Sequence, residues 1–272
     1  MPTHHRSPHP GRLVRTAFAA LTIALLLVSC ATPTEQTQET ATGALKPGSP
    51  SWEGRPFGSL PPPDPSLKRA IMARALREWE FFGRQTVVIQ GNEESIPHVG
   101  AWEDDDPRHS GRVGVYWRAV GKSSLNGMDC QQPWSAAFMT WVMRSAGVPE
   151  EQFPNSSAHW IYMANIINQA GLPDRYFVPR RIKDYSPRLG DLVCAYRGSD
   201  RPPSNDGYTS SWMLPGTNSH CDLVVGKNGA SLDVIGGNVR NSVSKTTLQL
   251  DELGHLQSGP RRPWFLILEN RL

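Results

Sequence analysis

The apolar periodicity of this chain changes once, near Leu189, and the order of that change limits the folds open to it. Before it, apolar residues recur at three- and four-residue steps, the mark of helices with one buried face. After it come short runs rich in β-branched and apolar residues, divided by turn residues, the mark of strands. Helices first and consecutive strands second predict an α+β domain, with N-terminal helices packed on a small antiparallel sheet or open barrel.

Among the helices, Pro133 to Val148 (PWSAAFMTWVMRSAGV) has a defined start and stop. Pro133 suits the first helical position and Gly147 the left-handed position past the end. Trp134, Phe138, Trp141, Val142 and Ser145 make its buried stripe. Ser135 falls in the first turn, where unpaired N–H groups and the helix dipole favour a developing negative charge. It is either a capping residue or half of a catalytic pair. Asp64-Pro65 opens an earlier helix carrying Leu67, Ile71, Ala75, Trp79 and Phe82. Residues 91 to 110 read as a polar loop, and Asp104, Asp105 and Asp106 within it as a solvated turn. Consecutive acids point different ways and lack the ligand spacing of a calcium loop. Val113, Tyr116, Trp117 and Val120 mark a short helix. A last one is capped within Asn155 to Ser157 and buries Ile161, Ala164 and Ile167, with His159 in its first turn as a supporting candidate.

Thr86 to Gln90 reads as a short strand or extended segment, and strands are expected at Gly190 to Tyr196, His220 to Val225, Ser231 to Ile235, Thr246 to Leu250 and Trp264 to Leu268. Turns are expected at 227–229 and 236–238. The connection from Arg197 to Asn218 is long, carries Tyr208, Trp212 and Met213, and leads into His220. Connections of that length beside a site usually form its rim.

The N-terminus has a different purpose. Arg6, Arg12 and Arg15 precede an apolar run from Thr16 to Val28 that is short for a membrane span. The segment ends Leu27-Val28-Ser29-Cys30, which resembles a bacterial lipobox. That resemblance implies a signal peptide over 1–29 and lipid attachment at Cys30. The protein is then exported and lipid-anchored, on the periplasmic side of the outer membrane if the cell has one. Residues 30–63 read as a flexible tether and 64–272 as one domain. Loss of residues 1–29 removes three basic residues from the 28 Lys and Arg, leaving 25 against 25 Asp and Glu. A neutral mature chain gives no reason to expect a nucleic-acid partner.

The mature chain keeps Cys30, Cys130, Cys194 and Cys221. No CxxC or HExxH pair occurs, so neither a metal nor another cofactor is expected. Cys194 and Cys221 fall on what should be neighbouring strands, either as a disulfide or as two buried thiols.

Four segments stand in an informative order: Pro-Trp-Ser-Ala-Ala-Phe (133–138), Pro-Arg-Leu-Gly-Asp-Leu-Val (187–193), Ser-His-Cys-Asp-Leu-Val-Val (219–225) and Ile-Gly-Gly-Asn-Val-Arg-Asn-Ser-Val (235–243). Together they resemble the NlpC/P60 and CHAP superfamily of papain-like fold, and within it the DUF2272 family, over roughly 70–272. The resemblance implies a nucleophile at Ser135, a base at His220 and an orienter at Asn238. Strand alternation makes Asp222 a rival orienter. It also implies a substrate, an amide or peptide bond in the envelope, chiefly in peptidoglycan stem peptides. The departure is Ser135, where the superfamily carries cysteine. A serine hydroxyl cannot be ionised by a helix dipole alone and needs a working base. Three readings follow: a serine-based hydrolase, a wall-peptide-binding module without catalysis, or an enzyme using Cys130, five residues upstream.

Overall fold

The structure, a computed structural model, describes residues 64–198, 210–260 and 262–272. The signal, Cys30, the tether and Tyr208 lie outside the described residues. Four helices precede most of an eight-stranded sheet, so the mixed α+β class is as expected.

Helix α1 (Pro65–Phe81) begins as its sequence dictates: Pro65 enters at the first turn, and the Asp64 carboxylate accepts the Ser66 N–H at 2.7 Å. Strands β1 (Thr86–Gln90) and β2 (Glu93–His98) form a hairpin where only β1 and a loop were expected. β2 was hidden because it is largely exposed and lacks an apolar face. Helix α2 (Pro107–Ala119) starts six residues earlier than the apolar pattern suggested. Asp106 is its cap, accepting the N–H groups of Arg108 and His109 at 2.7 and 3.0 Å. Asp105 accepts from Trp102 N–H at 2.7 Å, so two of the three adjacent acids organise a turn and a helix start.

Helix α3 (Ser135–Ala146) is almost entirely buried and packs against both α1 and α2. Pro133 lies just ahead of it rather than in it, and Gly147 closes it at φ 102°. In α4 (His159–Asn168) the buried residues are His159, Tyr162, Met163 and Ile166, whereas Ile161 is exposed. The true stripe is therefore rotated from the one read through Ile161, and it begins at a histidine.

Strands β3 (Phe177–Arg180), β4 (Leu192–Tyr196), β5 (Ser219–Asn228), β6 (Ser231–Val239), β7 (Ser242–Gln249) and β8 (Trp264–Asn270) complete the sheet. Its order is β2-β1-β7-β6-β5-β4-β8-β3, an open sheet larger than expected. All pairings are antiparallel except β1 with β7. That exception follows from connectivity, because three helices and five strands separate β1 from β7 and rule out a hairpin relation. Alternation along β4 sends Leu192, Cys194 and Tyr196 into the core shared with the helices. Val193 and Ala195 enter a second apolar cluster on the other face, closed by Ile182, Leu250 and Leu256.

Cys194 and Cys221 are directly paired across β4 and β5 and form a buried disulfide. Bridging positions 27 residues apart is worth about 3–4 kcal/mol by loop-closure entropy. The neighbouring pair is Ala195 with His220, so the bridge fixes the strand that presents that histidine. The expected turn at 236–238 is instead part of β6, with a register shift between Gly236 and Val239. The chain reverses at Arg240 and Asn241, whose φ values of 55° and 58° match a two-residue primed turn.

One buried acid lies outside this scheme. Glu103 accepts a hydrogen bond from the Trp134 indole, while its other oxygen has no partner among the described residues. Burial pushes its pKa up to about 7, against the opposing pull of the indole. The folded chain thus holds this proton more tightly than the unfolded one. Stability is fully present below the ordinary Glu value near 4.5 and is lost as pH rises through about 7. Glu103→Gln is expected to flatten that part of the profile, measured as Tm between pH 5 and 8. An unchanged slope would show that Glu103 ionises freely in the fold.

Candidate active site

Ser135 is the first residue of α3 but not its cap. Trp134 occupies that position, and no side chain caps the helix. The capping reading of Ser135 therefore drops out, and the first-turn N–H groups remain beside its hydroxyl. Ser135 Oγ lies 2.7 Å from His159 Nε2, and both residues are 4 % exposed. His159 Nδ1 in turn meets the Tyr162 hydroxyl, one turn along α4. An imidazole whose Nδ1–H donates to Tyr162 has its Nε2 lone pair directed at Ser135, the arrangement a general base requires.

His220 stands next to this pair. Its ring centroid is 5.2 Å from that of His159, with the planes at 56°. His220 Nε2 lies 2.6 Å from Asp222 Oδ1, two residues along β5, as strand alternation anticipated. Its Nδ1 is buried with no partner among the described residues. The sequence paired Ser135 with His220, but the hydroxyl's direct hydrogen bond goes to His159. Asn238 was the expected orienter of His220, and Asp222 its rival; the hydrogen bond present is the one to Asp222. Asn238 sits in the irregular stretch of β6 at φ 54° and makes no hydrogen bond to His220. Cys130 lies half-buried in the loop ahead of α3.

The Gly236-Gly237 pair explains how β6 passes this cluster. A Cβ on Gly236 would collide with Asp222 Oδ1 and approach His220 Nε2 to 3.0 Å. One on Gly237 would come within 2.7 Å of the Phe138 and Trp134 rings. These glycines, read as a turn from sequence, are there because two side-chain layers leave room for backbone only.

The electrostatics keep both histidines neutral. Burial is the main reason His159 is held well below the ordinary value of 6.5, and the charges of His220 and Arg197 act in the same direction. Burial also lowers His220, although the Asp222 carboxylate pulls the other way. For Asp222, burial works to raise the pKa. His220, Arg262 and Arg197 outweigh it and hold the carboxyl below 3.8, so it is ionised at neutral pH. The result is a neutral base on the hydroxyl, beside an imidazole anchored by a fixed negative charge. Among the described residues no group of three His, Cys, Asp or Glu side chains is placed to hold a metal ion.

His159 was the residue the sequence undervalued. Its signal was present: His159, Tyr162, Met163 and Ile166 have the i, i+3, i+4, i+7 spacing of a buried face. The competing stripe of isoleucines was more apolar and drew the reading away.

Comparison with curated proteins and with solved structures finds no similar chain. A family model described as an uncharacterized protein conserved in bacteria, DUF2272, matches residues 102–270, more than half of the chain. Ser135, His159, Tyr162, His220 and Asp222 all fall inside that span, and the chain belongs to the DUF2272 family.

Proposed function

We propose that this protein is a serine-nucleophile hydrolase of amide bonds, acting on peptides of the bacterial cell envelope. The observation that carries the reading is the 2.7 Å contact between Ser135 Oγ and the neutral His159 Nε2, at the uncapped start of a buried helix.

In this reading Ser135 Oγ attacks the amide carbonyl carbon as its proton passes to His159 Nε2. The oxyanion that forms is stabilised by N–H groups of the first turn of α3. Collapse breaks the C–N bond, and His159 returns the proton to the departing amine. The remaining ester on Ser135 is then attacked by water, which gives a proton to His159 and restores the hydroxyl. Tyr162 holds the tautomer throughout. Asp222 anchors His220, whose ring packs on His159 and opposes its charging, so the proton accepted from Ser135 is readily passed on.

The domain is read as an NlpC/P60-type variant, supported by a nucleophile-bearing helix packed on the strand that carries His220. The lipid anchor at Cys30 and the envelope location belong to the same proposal and rest on residues 27–30. Among the described residues no helix is long and apolar enough to cross a membrane.

Burial supports a second reading. With Ser135 at 4 % and His220 at 0 % exposure, the cluster would also suit a domain that binds wall peptides without cutting them. Isolated peptidoglycan incubated with residues 31–272 and examined by mass spectrometry separates the two. New peptide termini that vanish in Ser135→Ala are expected. Binding with no new termini would establish the binding module instead.

A further inference from the structure

Two arginines converge on the site, and among the described residues one carboxylate, Asp222, acts on both. Arg197 directly follows β4, and its N–H donates to Asn218 O at 2.8 Å, one step beyond the Tyr196–Ser219 pair. It thus stands beside the start of β5, which presents His220. Arg262 comes from the other neighbour of β4, two residues before β8, and places Nη1 3.8 Å from Asp222 Oδ2. That spacing is an ion pair but too long for a hydrogen bond.

The two cations repel one another and both act on Asp222. Arg240, the third basic group in range, is bound to Glu94 at 2.5 Å. Arg197 is half-buried and the Arg262 side chain is only 14 % exposed. Neither guanidinium donates a hydrogen bond to a described residue. With the histidines neutral, two positive charges face, among the described residues, one negative charge that His220 already engages. Burial drives the Arg197 pKa down to about 10, the cost of holding a cation there without full compensation. A planar guanidinium with free donors is matched best by a carboxylate, which accepts two parallel hydrogen bonds.

We propose that Arg197 and Arg262 form a carboxylate-binding subsite beside Ser135, selecting amides whose acyl or amine part carries a free carboxylate close to the scissile bond. This rests on the hydrolase reading for its meaning, but not for its test. Peptides ending in a free carboxylate, or with an acidic side chain beside the cleaved amide, are the class that fits. Neutral or amidated peptides are discriminated against. Asp222 then has two tasks: it anchors His220 and keeps the arginines from repelling each other until the ligand arrives.

The test uses residues 31–272 carrying Ser135→Ala, so that binding is read without turnover. The probes are N-acetyl-alanyl-alanine as the free acid and as its C-terminal amide, titrated by NMR. The acid is expected to bind about tenfold more tightly or better, as a charge-assisted pair implies. Arg197→Gln and Arg262→Gln should each remove most of that preference, and Arg197→Lys should retain part of it. Tm is measured alongside, so that a variant that fails to fold is recognised and the lysine variant decides. Equal affinity for acid and amide, no binding of either, or a preference unchanged in both glutamine variants would overturn the subsite. An acid preference in a protein that cuts no peptidoglycan would leave the subsite standing and remove the hydrolase. Cleavage by the parent chain without acid preference would do the reverse.

Discussion

Replacing Glu78 by alanine is expected to destabilise the domain by about 3–5 kcal/mol, the largest single loss anticipated outside the apolar core. Glu78 occupies a buried position on α1, and its carboxylate is shared by two partners on α2. Arg112 Nε donates to it at 2.6 Å, a second guanidinium N–H reaches the other oxygen, and the Tyr116 hydroxyl donates to it as well. The same guanidinium lies 4.7 Å from the centroid of the Trp141 ring on α3, so the cluster ties three helices together. Removing the carboxylate leaves a partly buried cation and a buried hydroxyl unpaired, and that penalty exceeds the worth of the bonds themselves. Thermal unfolding should show a Tm lower by on the order of 10 °C for a domain of this size. Glu78→Leu combined with Arg112→Leu should recover most of it, because no charge is then left uncompensated. A Tm within a degree or two of the parent would mean that the cluster is solvated in the folded protein.

The second large effect concerns His159. If it is the base, His159→Ala lowers the rate of amide cleavage by about 10²–10⁴-fold, the usual range for a general base. His220→Ala should act less directly: it removes the ring packed on His159 and leaves Asp222 to Arg262 and Arg197. The expected signature is a displaced pH–rate profile with part of the activity kept, not a comparable loss at every pH. Rates followed from pH 5 to 9 distinguish the two histidines. Equal losses in both variants across that range would assign the proton transfer to the pair as a unit.

Much of this was legible in the residues. The order of periodicities gave the α+β class. Asp64-Pro65, Gly147 and the runs at β1, β4, β5 and β8 marked elements by local chemistry, which is why they were found. What was missed has a common cause. β2, the early start of α2 and the β6 turn depend on exposed pairing, a single capping acid and a backbone squeezed between side chains. None of these leaves an apolar period. The site was legible by half. Ser135, His220 and Asp222 are drawn together by a helix start and one strand, both readable. His159 joins them only because α4 docks with one face rather than another, and that choice is made by tertiary packing. The contact with His220 expected of Asn238 is made by Asp222, because a residue two along the same strand is already in reach.

The central claim is that Ser135 is an activated nucleophile with His159 as its base. It is tested most directly by incubating residues 31–272 with a fluorophosphonate and locating the adduct by peptide mass spectrometry. One adduct is expected, on Ser135, lost in Ser135→Ala and formed far more slowly in His159→Ala while the fold, followed by Tm, is retained. A folded parent protein whose Ser135 stays unlabelled, or a label on Ser135 that forms equally fast without His159, would contradict the account.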